Sequence, residues 1–257
     1  MRLIWQQKDF NDDLDFILFH QKDDTPEWWR KRLFNAYPDL NYEYTKSLPE
    51  SKRFTYITEQ MKIQAEKRKP VIEKSIKTFK ENWDKIIADK LNSAYSSAFD
   101  NDCNNILNDM AGNVGLNPVC PRDIGHHCFD IYHYFEPKYA LSVALHEITH
   151  FAWFYFWQQH FKDDPSEYNS PQIKWLLSEI VVETIIRNSE INDLTEQPQH
   201  IAYSYFYDMT INGESIFDTM KKLYLNRKDI FDFMEKSFDW IKTNEPELRK
   251  KVANAEK

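Results

Sequence analysis

Between Tyr139 and Phe161 the chain carries one formally charged side chain, Glu147, in an otherwise apolar and aromatic run. A run of that length has two physical destinations, a bilayer or the middle of a folded core. His146, His150, Gln158, Gln159 and His160 interrupt it, and the chain has no second run like it. The run therefore predicts a helix buried on all sides in a folded domain. Pro137 sits where an early helix residue belongs, since the first turn leaves its N–H groups unbonded in any case.

The flanks are read in the same way. Residues 100–128 hold Gly112, Gly115, Gly125, Pro118 and Pro121, which marks turns. Phe129 to Phe135 reads as a strand from its β-branched and aromatic content. From about Phe54 to Phe99, Ile72, Ile76, Phe79, Trp83, Ile86 and Ile87 recur at helical spacing, and Pro70 is expected to separate two helices. The Lys-rich stretch 62–80 also contains Glu66 and Glu73, so it reads as a solvated helix face. Residues 1–50, with prolines at 26, 38 and 49, suggest two short strands or a strand and a helix. Downstream, Pro171 to about Arg187 predicts a second apolar helix. Residues 199–225 and 228–242 read as further helices before a charged, frayed tail.

Composition narrows the class. With 42% hydrophobic and 16% aromatic residues the chain is too apolar for disorder, and 4 glycines are few for a many-stranded sandwich. The expectation is a helix-rich α+β fold with a small mixed sheet. One domain would span 1–257, with a mostly helical part at 1–100, a core at 101–190 and a helical part at 191–257. A formal charge of −8 lacks the basic footprint of a nucleic-acid binder. Three cysteines cannot complete a disulfide framework. Met1 to Asp9 has neither the apolar run nor the cleavage site of a secretory leader, so a cytoplasmic location without membrane attachment is expected.

Residues 146–150 read His-Glu-Ile-Thr-His. On a helix, positions i and i+4 share a face, so His146 and His150 can aim ring nitrogens at one metal ion. Glu147 stands beside them, able to take a proton from an attacking water and return it to a leaving amine. Two core histidines with a structural glutamate would be the bland account. It leaves an ionised Glu147 inside an apolar helix without a reason.

The stretch Val143-Ala144-Leu145-His146-Glu147-Ile148-Thr149-His150-Phe151-Ala152 resembles the extended signature of the zincin metallopeptidases. That resemblance implies one zinc ion per chain held by His146 and His150, Glu147 as general base, and hydrolysis of a peptide or protein. The metzincin branch is excluded, because Trp153 and Phe156 stand where it has Gly and a third His. Trp175-Leu176-Leu177-Ser178-Glu179-Ile180-Val181-Val182-Glu183 resembles the gluzincin glutamate helix. Glu179 then matches the third ligand, and Glu183 a carboxylate that accepts the other N–H of a liganding histidine. The family often has Gly after the ligand and Asp at the later place. Ile180 and Glu183 depart from this, which leaves Glu183 open as an alternative ligand.

In zincins an edge strand binds the substrate backbone. Residues 129–135 are candidates for that sheet, edge or interior. The resemblance covers roughly 129–187. The rival readings are a catalytically inactive zincin-fold binding protein that keeps the metal, a membrane-embedded protease, and a metal-free structural protein. The membrane protease needs several apolar spans and a distant Asp, neither of which is visible. Among lesser candidates, Cys120, His126, His127 and Cys128 cluster in sequence and could bind a second metal, although no C-x-x-C is present. His133 reads as a strand residue. His200, Tyr203, Tyr205 and Tyr207 could donate to an oxyanion, and none stands out.

Overall fold

The computed structural model describes residues 3–106, 108–198 and 200–255, and of residue 86 only the backbone. The chain opens with strand β1 (Leu3–Gln7), followed by three short helices, α1 (Phe10–Phe19), α2 (Glu27–Ala36) and α3 (Tyr42–Lys46). The Asp9 side chain starts α1 by accepting from the N–H groups of Asn11 and Asp12, and Asn41 starts α3 by accepting from Tyr44. This region is more helical than the expected one or two strands. Its helices are set by caps and prolines, and they are too short to show a clear apolar period.

Helix α4 (Glu50–Ile86) runs unbroken through Pro70, where two helices were expected. An interior proline costs about 3 kcal/mol. The buried stripe Ile57, Met61, Ile72, Phe79 and Trp83 offsets it, at roughly 1.5–3 kcal/mol for each large side chain. Of the apolar positions that defined this helix in sequence, the Ile86 side chain lies outside the described residues. Helix α5 (Leu91–Ala98) follows.

The sheet adds β2 (Met110–Gly115), β3 (Arg122–Asp123) and β4 (Cys128–Tyr132), in the order β1-β2-β4-β3. β1 and β4 both run parallel to β2, and β3 lies antiparallel on β4. One face is apolar, with Trp5, Gly112 and Phe129 in register. Gly112 is small because the neighbouring rings fill its place: a Cβ there would lie 3.1 Å from Trp5 and 3.3 Å from Phe129. Trp5 also meets Phe79 and Trp83 of α4, at ring separations of 5.6 and 6.0 Å. Strand β4 is interior, and β1 and the two-residue β3 form the two edges. His133 falls just beyond β4, with Nδ1 bonded to the Gly115 carbonyl at 2.8 Å.

Helix α6 (Pro137–Phe161) has Pro137 in its first turn, and every residue from Ala140 to Phe154 is buried. Helix α7 (Ile173–Arg187) packs on it, and α8 (Ile216–Leu225) and α9 (Ile230–Ala255) complete the chain. Among the described residues no helix is long and apolar enough to cross a membrane. Two C-terminal expectations are corrected. Of the expected helix at 199–225, residue 199 lies outside the described residues and residues 200–225 are α-helical only from Ile216; before it lie a 3₁₀ turn at Ser204–Phe206 and a hairpin of β5 (Thr210–Ile211) and β6 (Glu214–Ser215). Asn212 and Gly213 turn that hairpin with φ of 52° and 81°, as an Asn-Gly pair favours. Helix α9 continues past residue 242 and through Pro246 because Leu248 is buried beneath it. The fold is the expected helix-rich α+β type with a small mixed sheet.

Candidate metal centre

Helices α6 and α7 each bring charge into an apolar interface. On α6, His146 and His150 lie one turn apart with their Nε2 atoms 3.1 Å from each other. From α7, Glu179 places Oε2 3.8 Å from His146 Nε2 and Oε1 3.6 Å from His150 Nε2. The ligand atoms of all three lie within 4.8 Å of one another, and no other such group converges among the described residues. Zinc held tetrahedrally at 2.0–2.1 Å keeps two ligand atoms about 3.3 Å apart, close to the spacing found here. His146, Glu147, His150 and Glu179 thus form a gluzincin-type metal-binding triad with its adjoining acid.

Glu183 is placed differently from Glu179. Its Oε1 accepts from Arg187 Nε at 2.7 Å and from the Tyr207 hydroxyl at 2.7 Å. Among the described residues its Oε2 has no hydrogen-bond partner, and neither has Nδ1 of His146 or of His150. No hydrogen bond joins Glu183 to a triad histidine in this arrangement, although its charge bears on His146.

Burial and charge split the four groups. Burial drives Glu147 upward from the usual carboxylate range, and His146 and Arg122 recover only part of that shift. Burial also acts on Glu179, but there Arg122 and then His146 overcome it and hold the carboxyl below its usual range. Burial, followed by the positive charges of Arg122 and His146, keeps His150 well below an ordinary histidine. His146 is pulled down by burial, but the neighbouring Glu179 and the charges of Glu147 and Glu183 raise it overall. A neutral His150 and an ionised Glu179 are already in the protonation states that a metal requires.

Sequence reasoning missed Arg122. From the edge strand β3 its Nη1 and Nη2 reach Glu179 Oε1 at 3.2 and 3.3 Å, and Nη1 lies 3.6 Å from Glu147 Oε2. Its side chain is 13% exposed, and its guanidinium sits 5.8 Å over Phe154, which also stacks on His150 and Tyr168. A two-residue strand is too short to show alternation. The available signal was charge balance, because Glu147, Glu179 and Glu183 on two apolar helices call for a buried cation.

The lesser candidates do not converge. His126 is exposed and pairs with Asp123 at 2.8 Å, while His127 packs edge-on against Phe151. Tyr207 is committed to Glu183, and His200 stacks on Tyr207 at 3.9 Å. Tyr203 stands nearest the triad in its electrostatics. Burial and then the charge of Glu179 hold its phenol protonated, far above the ordinary tyrosine range. No protein-family model, curated protein or solved structure matches this chain, so the triad stands on its own geometry.

Proposed function

We propose that this protein is a zinc-dependent metallopeptidase in which His146, His150 and Glu179 hold one zinc ion and Glu147 is the general base. The observation that carries the reading is the convergence of two imidazole nitrogens and a carboxylate at tetrahedral spacing, with the Glu147 carboxylate alongside, its Oε2 making no hydrogen bond among the described residues and facing Arg122 Nη1 at 3.6 Å. Two imidazoles and one carboxylate are a zinc donor set. When bound, zinc acidifies a water molecule and polarises the scissile carbonyl.

The protein's own groups supply the rest. Glu147 Oε2 can receive a proton, and the upward push of burial lets the carboxyl keep it until the leaving nitrogen needs it. Arg122 lies against both Glu147 and Glu179 and keeps the base beside the ligand. Tyr207 and Arg187 fix Glu183, whose charge supports His146. The edge strand β3 is the place where an extended peptide can pair with the sheet. Three free cysteines agree with a reducing, cytoplasmic setting.

Elemental analysis tests this directly. Purified protein should hold close to one zinc per chain, lost in His146→Ala and in Glu179→Ala. Zinc content indifferent to both changes overturns the site. Glu147→Gln should keep its zinc and stop peptide cleavage. Cleavage surviving that change removes Glu147 as base, and zinc binding without cleavage in the unaltered protein favours the inactive binding-protein reading.

A further inference from the structure

The chain is acidic overall, yet α2 carries Arg30, Lys31 and Arg32 against one acid, Glu27. Lys31 is paired with Glu27 at 2.8 Å. Arg32 is different. Among the described residues no carboxylate lies at ion-pair distance from it, and its half-buried guanidinium rests on two indoles, 4.5 Å from the Trp29 ring and 5.5 Å from Trp28. A guanidinium stacked on a ring keeps its in-plane N–H groups free and oriented, a fork that fits a carboxylate. Trp28 Nε1 beneath it is buried and has no acceptor among the described residues.

The patch adjoins the metal centre. Trp28 and Trp29 both meet Tyr203 edge-on, at 6.5 and 6.2 Å. Tyr203 meets Trp175 at 6.1 Å, and Trp175 lies one helical turn before Glu179 on the same face of α7. The Tyr203 phenol feels Glu179, Arg122 and Arg32 together. Arg32 also bears on Cys120, two residues before Arg122, and on Tyr139, two turns before His146. One unpaired cation on an aromatic platform therefore stands among the elements that bring in Glu179, Arg122 and His146.

We propose that Arg32, seated on Trp28 and Trp29, anchors a carboxylate of the substrate, so that the protein prefers peptides with a negative charge close to the scissile bond. This rests on the peptidase reading above. The carboxylate has two sources, a free C-terminus or an Asp or Glu side chain.

Three peptides on one neutral core separate the sources: a C-terminal amide, the same sequence with a free C-terminus, and the amide with one Glu. With zinc-loaded protein, kcat/KM for one of the charged peptides should exceed that for the neutral amide at least tenfold. That ratio should collapse toward one in Arg32→Gln, return in part in Arg32→Lys, and shrink as salt rises. The charged peptide that shows the effect identifies the source. A ratio untouched by Arg32→Gln, or equal losses on all three peptides, overturns the anchor. Calorimetric titration of the same peptides into zinc-loaded Glu147→Gln protein, with and without Arg32→Gln, reads binding apart from turnover. A charge preference that needs Arg32 supports the anchor even where no cleavage occurs, a result that would count against the peptidase reading alone. Equal binding of all three peptides overturns the anchor even where cleavage is seen.

Discussion

On the parallel strands, Asp130 of β4 is met by Lys8 at 3.1 Å and by Asn113 of β2 at 3.1 Å, and Asp13 of α1 accepts from the N–H groups of Leu116 and Asn117 just past β2. Between α6 and α7, Glu147, Glu183 and both triad histidines keep polar atoms that have no hydrogen-bond partner among the described residues. Both clusters are buried and both carry acids. In the first, the acids close the fold, with Asp13 taking up two backbone donors where β2 stops. In the second, the fold holds several polar atoms open, each at about 1–3 kcal/mol. What sets the second cluster apart is that two imidazole Nε2 atoms and the Glu179 carboxylate also stand at the spacing of a tetrahedral metal's ligands.

The largest effect that would sharpen this contrast is on turnover. Glu147→Gln should lower kcat by about 10²- to 10⁴-fold with zinc retained, read by metal analysis alongside a peptide assay. A smaller loss would move Glu147 from chemistry to structure. Next is Arg122→Gln, which leaves two buried carboxylates without their cation. The metal-free protein should lose about 3–5 kcal/mol, and the zinc-loaded protein less, because zinc replaces part of the lost charge. Denaturant melts with zinc and with chelator check this, and equal losses in both would make Arg122 a purely structural residue.

The sheet cluster should respond to pH instead. Burial raises Asp13 from 3.8 to about 7. Between those values the folded state holds a proton that the unfolded state has released, so stability falls as pH rises through that window and levels off above it. The contribution is about 1.4 kcal/mol per pH unit, and melts across the window should show it vanish in Asp13→Asn. A slope that persists in Asp13→Asn would assign it to another buried acid such as Asp130, which burial also pushes upward. Smallest is Tyr95→Phe. Its hydroxyl bonds the Leu145 carbonyl and Thr149 on α6, each at 2.8 Å. Removing it should cost about 1 kcal/mol and leave zinc content unchanged. Lost zinc would show that this support helps aim the histidines.

Much of the site was legible because it is local. Two histidines four residues apart on a helix share a face whatever surrounds them, and the apolar run around Glu147 announced that the helix is buried. Glu179 was read from the pattern of its own helix. The choice between it and Glu183 was not local. Both lie on the buried face of α7, and the distinction came from Tyr207, 24 residues from Glu183 in sequence, and from Arg122, 57 residues from Glu179. Pro70 misled for the same reason. Its local penalty is real, but the buried stripe on α4 that outweighs it forms only when the sheet is in place.

The sequence by itself determined what repeats within one element: the buried helix, the His146–Glu147–His150 spacing, the apolar glutamate helix and the helix-rich class. Only the tertiary structure decided which acid meets the histidines, that Arg122 balances them from an edge strand, and that Arg32, on the two indoles that meet Tyr203, has no carboxylate partner among the described residues. Those are matters of charge and packing between segments far apart in the chain. Helical spacing is enforced by each residue's own backbone geometry, whereas a buried ion pair exists only after folding has excluded water from both partners.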